Sequence, residues 1–150
     1  MALGKAFADF VLGKTRRATR NAMEALAYNT VAELQDAGPY WDGYFANAWE
    51  VKQGDVDIPA TTPGQVPRGE KPAEQRVYTQ PIIPPADLRK GYTIGNSMTY
   101  RAIAMDLEPG RLKEGPGTAE QDWYTNLMDG GELIRVNKQA AQDAFKEAFK

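Results

Sequence analysis

Tyr-Thr-Ile-Gly-Asn-Ser-Met-Thr-Tyr-Arg-Ala-Ile-Ala-Met-Asp-Leu-Glu-Pro-Gly, residues 92–110, is the stretch whose reading decides the fold. It begins with the β-favouring Tyr92, Thr93 and Ile94 and breaks at Gly95-Asn96. It then resumes with Tyr100, Ile103 and Leu107 at spacings of three and four. A strand that turns at Gly-Asn into a helix is the simplest reading. Gly95 and Asn96 tolerate positive φ, and the Asn96 side chain can hydrogen-bond the backbone ahead of it. Pro109 has no amide hydrogen and biases its predecessor away from helical angles, so the helix is expected to end near Glu108.

Working back from there, residues 76–80 are β-favouring around Val77, Tyr78 and Thr79 and are stopped by Pro81, which predicts another strand. Ile82-Ile83 reads as an extended apolar strip. Pro85 at a first helical position, with Gly91 as the stop, predicts one or two helical turns. Residues 54–74 hold Asp55, Asp57, Pro59, Pro63, Pro67, Arg68, Lys71 and Pro72 with few apolar residues. That composition cannot build its own core, so it predicts a loop or arm too long to be a mere connector. Asp55 and Asp57 form an acidic pair, but Ca²⁺ loops need a longer ordered series of oxygen ligands, and no metal is assigned.

Residues 40–51 are rich in aromatic side chains, with a turn at Asp42-Gly43 and a strand over residues 47–52. The rings read either as core or subunit-contact packing or as a stacking platform for a ligand. Upstream, Met23, Leu26, Ala27, Thr30 and Leu34 fall on one helical face. This predicts a helix of about five or six turns from Thr15 to the stop at Gly38-Pro39. Phe7, Phe10 and Val11 form an apolar cluster before Gly13, either a separate short turn or the start of a longer helix. Lys14, Arg16, Arg17 and Arg20 make a local basic patch. It reads as a solvated face, with Arg20 paired to Glu24, or as a phosphate or DNA contact.

Downstream, residues 111–117 form a second charged, glycine-containing loop. Thr118 and Gln121 fit a capping box for a short helix that carries Trp123 and Leu127 and ends at Gly130-Gly131. Leu133, Ile134 and Val136 predict a strand or the lead-in to a last helix over residues 137–150. That helix is lined on one side by Ala140, Ala141, Ala144, Phe145, Ala148 and Phe149, and Phe149 is expected to dock. Together these elements predict a single α+β domain. A small antiparallel sheet packs against a long N-terminal helix and a C-terminal helix, with long loops left for assembly.

Composition bounds the function. The 150 residues are 42% hydrophobic and 25% charged, with a net charge of −2, which is near the average for globular domains. Cys and His are both absent. Disulfide frameworks, thiolate nucleophiles, the usual zinc ligand sets and Ser-His or Cys-His machinery are thereby removed. No phosphate loop, nucleophile elbow or internal repeat is present. Glu108, beside Pro109-Gly110, reads either as a general base or as a structural or interface carboxylate. Lys5 and Asp9 interrupt any signal-peptide core and no later window approaches a membrane span, so a soluble intracellular product is expected.

The order of features resembles the neck and tail-completion (head-tail joining) proteins of tailed bacteriophages. The similar pieces are the long first helix, Gly43 with Asn47-Ala48-Trp49, and Ile94-Gly95-Asn96. Then come Tyr100-Arg101-Ala102, Leu107-Glu108-Pro109-Gly110, and residues 131–136 running into the Ala/Phe helix. The family's Pro-x-Asp-Thr-Gly is replaced here by Pro39-Tyr40-Trp41-Asp42-Gly43. Its Ser-x-Gln-Ala-Pro run is replaced by residues 111–123, with an apparent insertion.

The resemblance implies a non-enzymatic virion protein without cofactor or catalytic residues, made in the host cytoplasm and built into the neck or tail. Its implied partners are further copies of itself, in a ring of about six, and the head-completion or adaptor and tail-tube proteins. Double-stranded DNA passes through without sequence specificity, and no membrane is involved. Residues 54–74 and 111–117 are the candidate assembly arms. Mild acidity suits a ring that must not bind passing phosphates. Two rival readings are a small ligand-binding or catalytic domain using the aromatic cluster with Glu108 and Asp42, and a portal-adjacent adaptor, mostly helical by family resemblance.

Overall fold

The computed structural model describes residues 2–40, 43–62, 75–99, 101–105, 119 and 122–150. Among them the element order is α1 (Ala2–Ala37), β1 (Trp49–Gln53), β2 (Tyr92–Asn96), α2 (Arg101–Met105), α3 (Trp123–Asp129) and α4 (Glu132–Ala148). This is the α+β arrangement expected, with the long first helix packed on both the last helix and the sheet.

α1 is 36 residues long, about ten turns rather than five or six. The longer of the two alternatives for residues 7–13 is the one formed. Gly13 lies inside the helix because a lone glycine costs only about 1 kcal/mol against alanine and no proline follows. The Thr15 and Thr19 hydroxyls donate back to the Val11 and Thr15 carbonyls, each at 2.9 Å. The helix stops where the Gly38 amide donates to the Leu34 carbonyl at 3.1 Å. A Cβ at Gly38 would sit 2.9 Å from that carbonyl and 3.1 Å from the Trp123 ring, so only glycine lets α3 approach this closely before Pro39.

β1 and β2 pair antiparallel, from Trp49 opposite Asn96 to Gln53 opposite Tyr92. Gly95 and Asn96 belong to the strand and do not use positive φ. Gly95 serves for its missing side chain: a Cβ there would lie 3.0 Å from Ile58 Cδ1 and 3.2 Å from Ile58 Cβ. The chain after β1 therefore folds back over β2. Ile58 is buried, and Thr62 forms an isolated parallel bridge with Met98. Residues 54–62 thus belong to the body rather than to an arm, while residues 63–74 lie outside the described residues. Asn96 does bond forward as expected, its Oδ1 accepting from the Met98 amide at 3.0 Å. Its Nδ2 donates to the Phe45 carbonyl at 2.9 Å.

The strand expected over residues 76–80 does not form. Residues 76–86 instead make an extended strap whose backbone is held by side chains. Tyr40 Oη accepts from the Val77 amide at 2.9 Å and donates to the Val77 carbonyl at 3.0 Å. Asn47 Oδ1 accepts from the Thr79 amide at 2.7 Å, and Gln35 Nε2 donates to the Thr79 carbonyl at 2.9 Å. Further along, Gln53 Nε2 donates to the Pro85 carbonyl at 2.8 Å, and Glu24 Oε1 accepts from the Ala86 amide at 2.9 Å. Pro81, Pro84 and Pro85 have no amide to give a ladder, which is why the β-favouring residues before them do not become a third strand. The helical turns expected after Pro85 shrink to one turn, in which the Lys90 and Gly91 amides both donate to the Asp87 carbonyl.

α3 begins at Trp123, with Asp122 as its N-cap and no side-chain capping bond. Thr118 and Gln121 lie outside the described residues. Leu133, Ile134 and Val136 are helical, because α4 starts at Glu132 directly after Gly131. α4 runs antiparallel to α1. Asn137 Nδ2 donates to Thr30 Oγ1 at 3.2 Å near one end, and Lys14 Nζ sits 6.0 Å from the Phe149 ring centroid at the other. The core gathers Ala27, Val31 and Leu34 of α1 with Phe45, Trp49, Val51, Met98, Ala104, Trp123, Leu127 and Leu133. Phe45 stands edge-on to Trp49 and to Trp123, with centroids 5.8 and 6.2 Å apart. Trp123 Nε1 donates to the Ala104 carbonyl at 2.9 Å. α2 forms where the strand-to-helix turn was read, but Tyr100 and residues 106–118 lie outside the described residues.

Candidate functional site

The aromatic residues near β1 resolve in favour of packing. Tyr40, Phe45 and Trp49 are buried, and Tyr44 alone of the described rings in residues 40–51 is exposed. A stacking platform needs open ring faces, and these are turned on one another. Trp41, Asp42 and Glu108, which the catalytic reading names, lie outside the described residues. Asp55 and Asp57 are exposed. Among the described residues no three His, Cys, Asp or Glu side chains come together as a metal site. No described helix is long and apolar enough to cross a membrane.

Among the described residues three titratable groups are displaced by their surroundings, Tyr92 and the paired Glu132 and Arg135. Burial first, and the nearby Glu24 carboxylate second, raise the Tyr92 phenol above its ordinary value of 10.0. Its hydroxyl donates to the Pro84 carbonyl of the strap. Glu132 in the first turn of α4 is lowered chiefly by the hydrogen bond from Arg135, at 3.0 Å from Nε. That pair is fully exposed and steadies the helix start; it faces no enclosed space.

What remains is surface. Every side chain from Gly4 to Phe10 is exposed, because α4 ends beside Lys14 and leaves the first turns of α1 without a neighbour among the described residues. This projecting arm carries Phe7, 69% exposed, Phe10, 58% exposed, and Leu12, 52% exposed. Phe145 of α4 and Phe149, its C-cap, are exposed at the same end of the helix pair. Lys14 lies over both Phe10 and Phe149, at 5.1 and 6.0 Å from their centroids, so Phe149 is tethered at its edge rather than docked. The sheet is less available than an assembly edge would be. Residues 54–62 fold over β2, and the strap flanks β1 from Asn47 to Gln53.

The sequence places candidate assembly arms at residues 54–74 and 111–117, of which 63–74 and 111–117 lie outside the described residues, and does not single out the projecting start of α1. Its signal was present in the absence of proline from residues 1–38 and in Phe7 and Phe10 at a spacing of three. Set against known proteins, the chain matches no family profile, no curated protein and no solved structure.

Proposed function

We propose that this protein is a structural subunit of a tailed-bacteriophage neck. Copies of it form a ring at the head-tail junction, as a tail-completion or tail-terminator protein, join tail to capsid and let DNA pass. The order of sequence features supports the family, and the projecting start of α1 is the observation that carries the assembly reading. A helical segment of about a dozen residues is marginal in water by itself. Here it propagates from the packed part of α1 while holding two phenylalanines in solvent. Adjacent exposed apolar residues on an otherwise polar helix mark a surface that a partner covers, and a neighbouring copy in a ring supplies such a partner without a second gene product.

Mass photometry and negative-stain imaging of the purified chain, beside the Phe7→Ser/Phe10→Ser variant, test this. The expected result is a ring of about six copies that the double variant reduces to monomers with an unchanged melting temperature. A chain that stays monomeric at high concentration and saturably binds a small molecule would overturn the reading. A particle of about twelve copies would move it to the portal-adjacent adaptor.

A further inference from the structure

Arg16 and Arg20 stand one turn apart on α1 and line an open cleft of about 650 Å³, closed on its other side by Pro85, Ala86, Asp87, Leu88 and Arg89. The carboxylate that the sequence offers to Arg20 is Glu24, four residues on, but Glu24 instead accepts the Ala86 amide of the strap. Asp87, the acid within the cleft, is engaged through Oδ1 with the Arg89 amide at 2.9 Å. No ion pair or side-chain hydrogen bond engages the guanidinium groups of Arg16, Arg20 and Arg89 among the described residues. Like charges at i and i+4 on a helix repel by a few tenths of a kcal/mol. This fold adds a third cation across the cleft, and the Glu24 carboxylate bonds a backbone amide rather than a guanidinium group.

We propose that this cleft is a phosphate-binding site, in which Arg16 and Arg20 of α1 and Arg89 of the facing turn converge on one phosphate group. Guanidinium groups present paired donors that match phosphate oxygens, and several together hold a phosphate where a lone lysine would not. The net charge of −2 conceals the site, because a sum over the chain does not record that Arg16, Arg20 and Arg89 line one cleft. The site stands apart from the ring reading, since it needs neither a second copy nor a lumen. Its phosphate can come from the backbone of duplex DNA or from a free phosphate compound, and the two sources separate by experiment.

The test uses the full chain with a labelled short DNA duplex of arbitrary sequence, followed by fluorescence anisotropy at low salt, about 50 mM. Inorganic phosphate and ATP are titrated as competitors and, separately, as ligands by NMR. The variants are Arg16→Gln/Arg20→Gln, Arg89→Gln, and the charge-matched control Lys138→Gln/Lys146→Gln on α4. All five positions are exposed, and a thermal melt of each variant checks that it is folded. Duplex binding is expected to weaken with salt, and the log-log slope should fall by about 0.9 for each arginine removed. The α4 control should leave the slope at the parent value for cleft contacts. If ATP or phosphate binds and the cleft variants abolish it, while the duplex does not bind, the site is confirmed with a free phosphate compound as its ligand. If no phosphate ligand binds at low salt, or if the α4 control loses as much as the cleft variants, the proposal is overturned.

Discussion

Tyr40 shows how much a single side chain can hold in this molecule. Its hydroxyl both accepts from and donates to the backbone of Val77, and its ring stands edge-on to Tyr78 with centroids 5.6 Å apart. Tyr40→Phe is expected to cost about 1–2 kcal/mol in denaturant unfolding, because the Val77 amide loses its partner and the Val77 carbonyl keeps only the Asn47 Nδ2 donor at 3.2 Å. Gly95→Ala is expected to cost about 1–3 kcal/mol, since the new Cβ must displace Ile58. The double variant with Ile58→Ala should then be less destabilised than the two single losses combined, and equality with their sum would show that the contact at 3.0 Å is not the cause. For Tyr92 the raised phenol means that folding favours the neutral form. Its contribution is fully present below the ordinary tyrosine value of 10.0 and is lost as pH rises through the higher folded value. The alkaline absorbance titration of Tyr92→Phe, subtracted from that of the parent, should show one phenol ionising late; a difference curve centred at the ordinary value would contradict this.

Among the elements, α1 separates what periodicity reveals from what it does not. Its packed part was legible, since Ala27 and Leu34 of the named face are in the core. The fully buried Val31 was missed, because the buried face turns towards Ala18, Ala22, Ala27 and Val31 rather than towards Met23 and Leu26. The helix start stayed open between two readings because Gly13 could be punctuation, and the longer one forms since a single glycine costs only about 1 kcal/mol inside a helix. β1 and β2 were legible from alternation and from the Gly-Asn end. Residues 76–80 were not, since propensity records a fit to a pleated surface but is silent on whether a partner with free amides exists. Truncating α1 to begin at Gly13 is expected to leave the helix pair folded, with the far-ultraviolet helical signal reduced only by the residues removed. A loss of signal well beyond that share would place the arm in the folding core.

For the whole molecule, the class of fold was readable and the working surface was not. Absence of Cys and His argues against whole chemistries from composition alone. A surface, by contrast, is made by elements distant in sequence, as when Arg89 meets Arg16 and Arg20 only because the strap carries the chain back along α1. Pairing Arg20 with Glu24 was a sound local rule, defeated by a backbone amide from residue 86 that no local window contains. The loop at residues 54–74 shows the same limit, since Ile58 is buried within a segment whose composition reads as core-poor. Ile58→Ala is accordingly expected to cost about 2–4 kcal/mol. A loss below about 0.5 kcal/mol, the usual range for surface changes, would return residues 54–62 to the arm.

The strap has a consequence for how the molecule opens. Its clasps are separate side chains on α1, on the turn after it and on β1, so they can release one at a time, whereas a ladder must part as a unit. Deuterium labelling should find the amides of Val77, Thr79 and Ala86 exchanging well ahead of those of Gly54 and Ser97, which are bonded to backbone carbonyls at 2.9 Å. A seam of this kind lets residues 76–86 peel away while both long helices stay folded, and it makes that flank the first place where a protease, or an invading strand from another chain, gains entry.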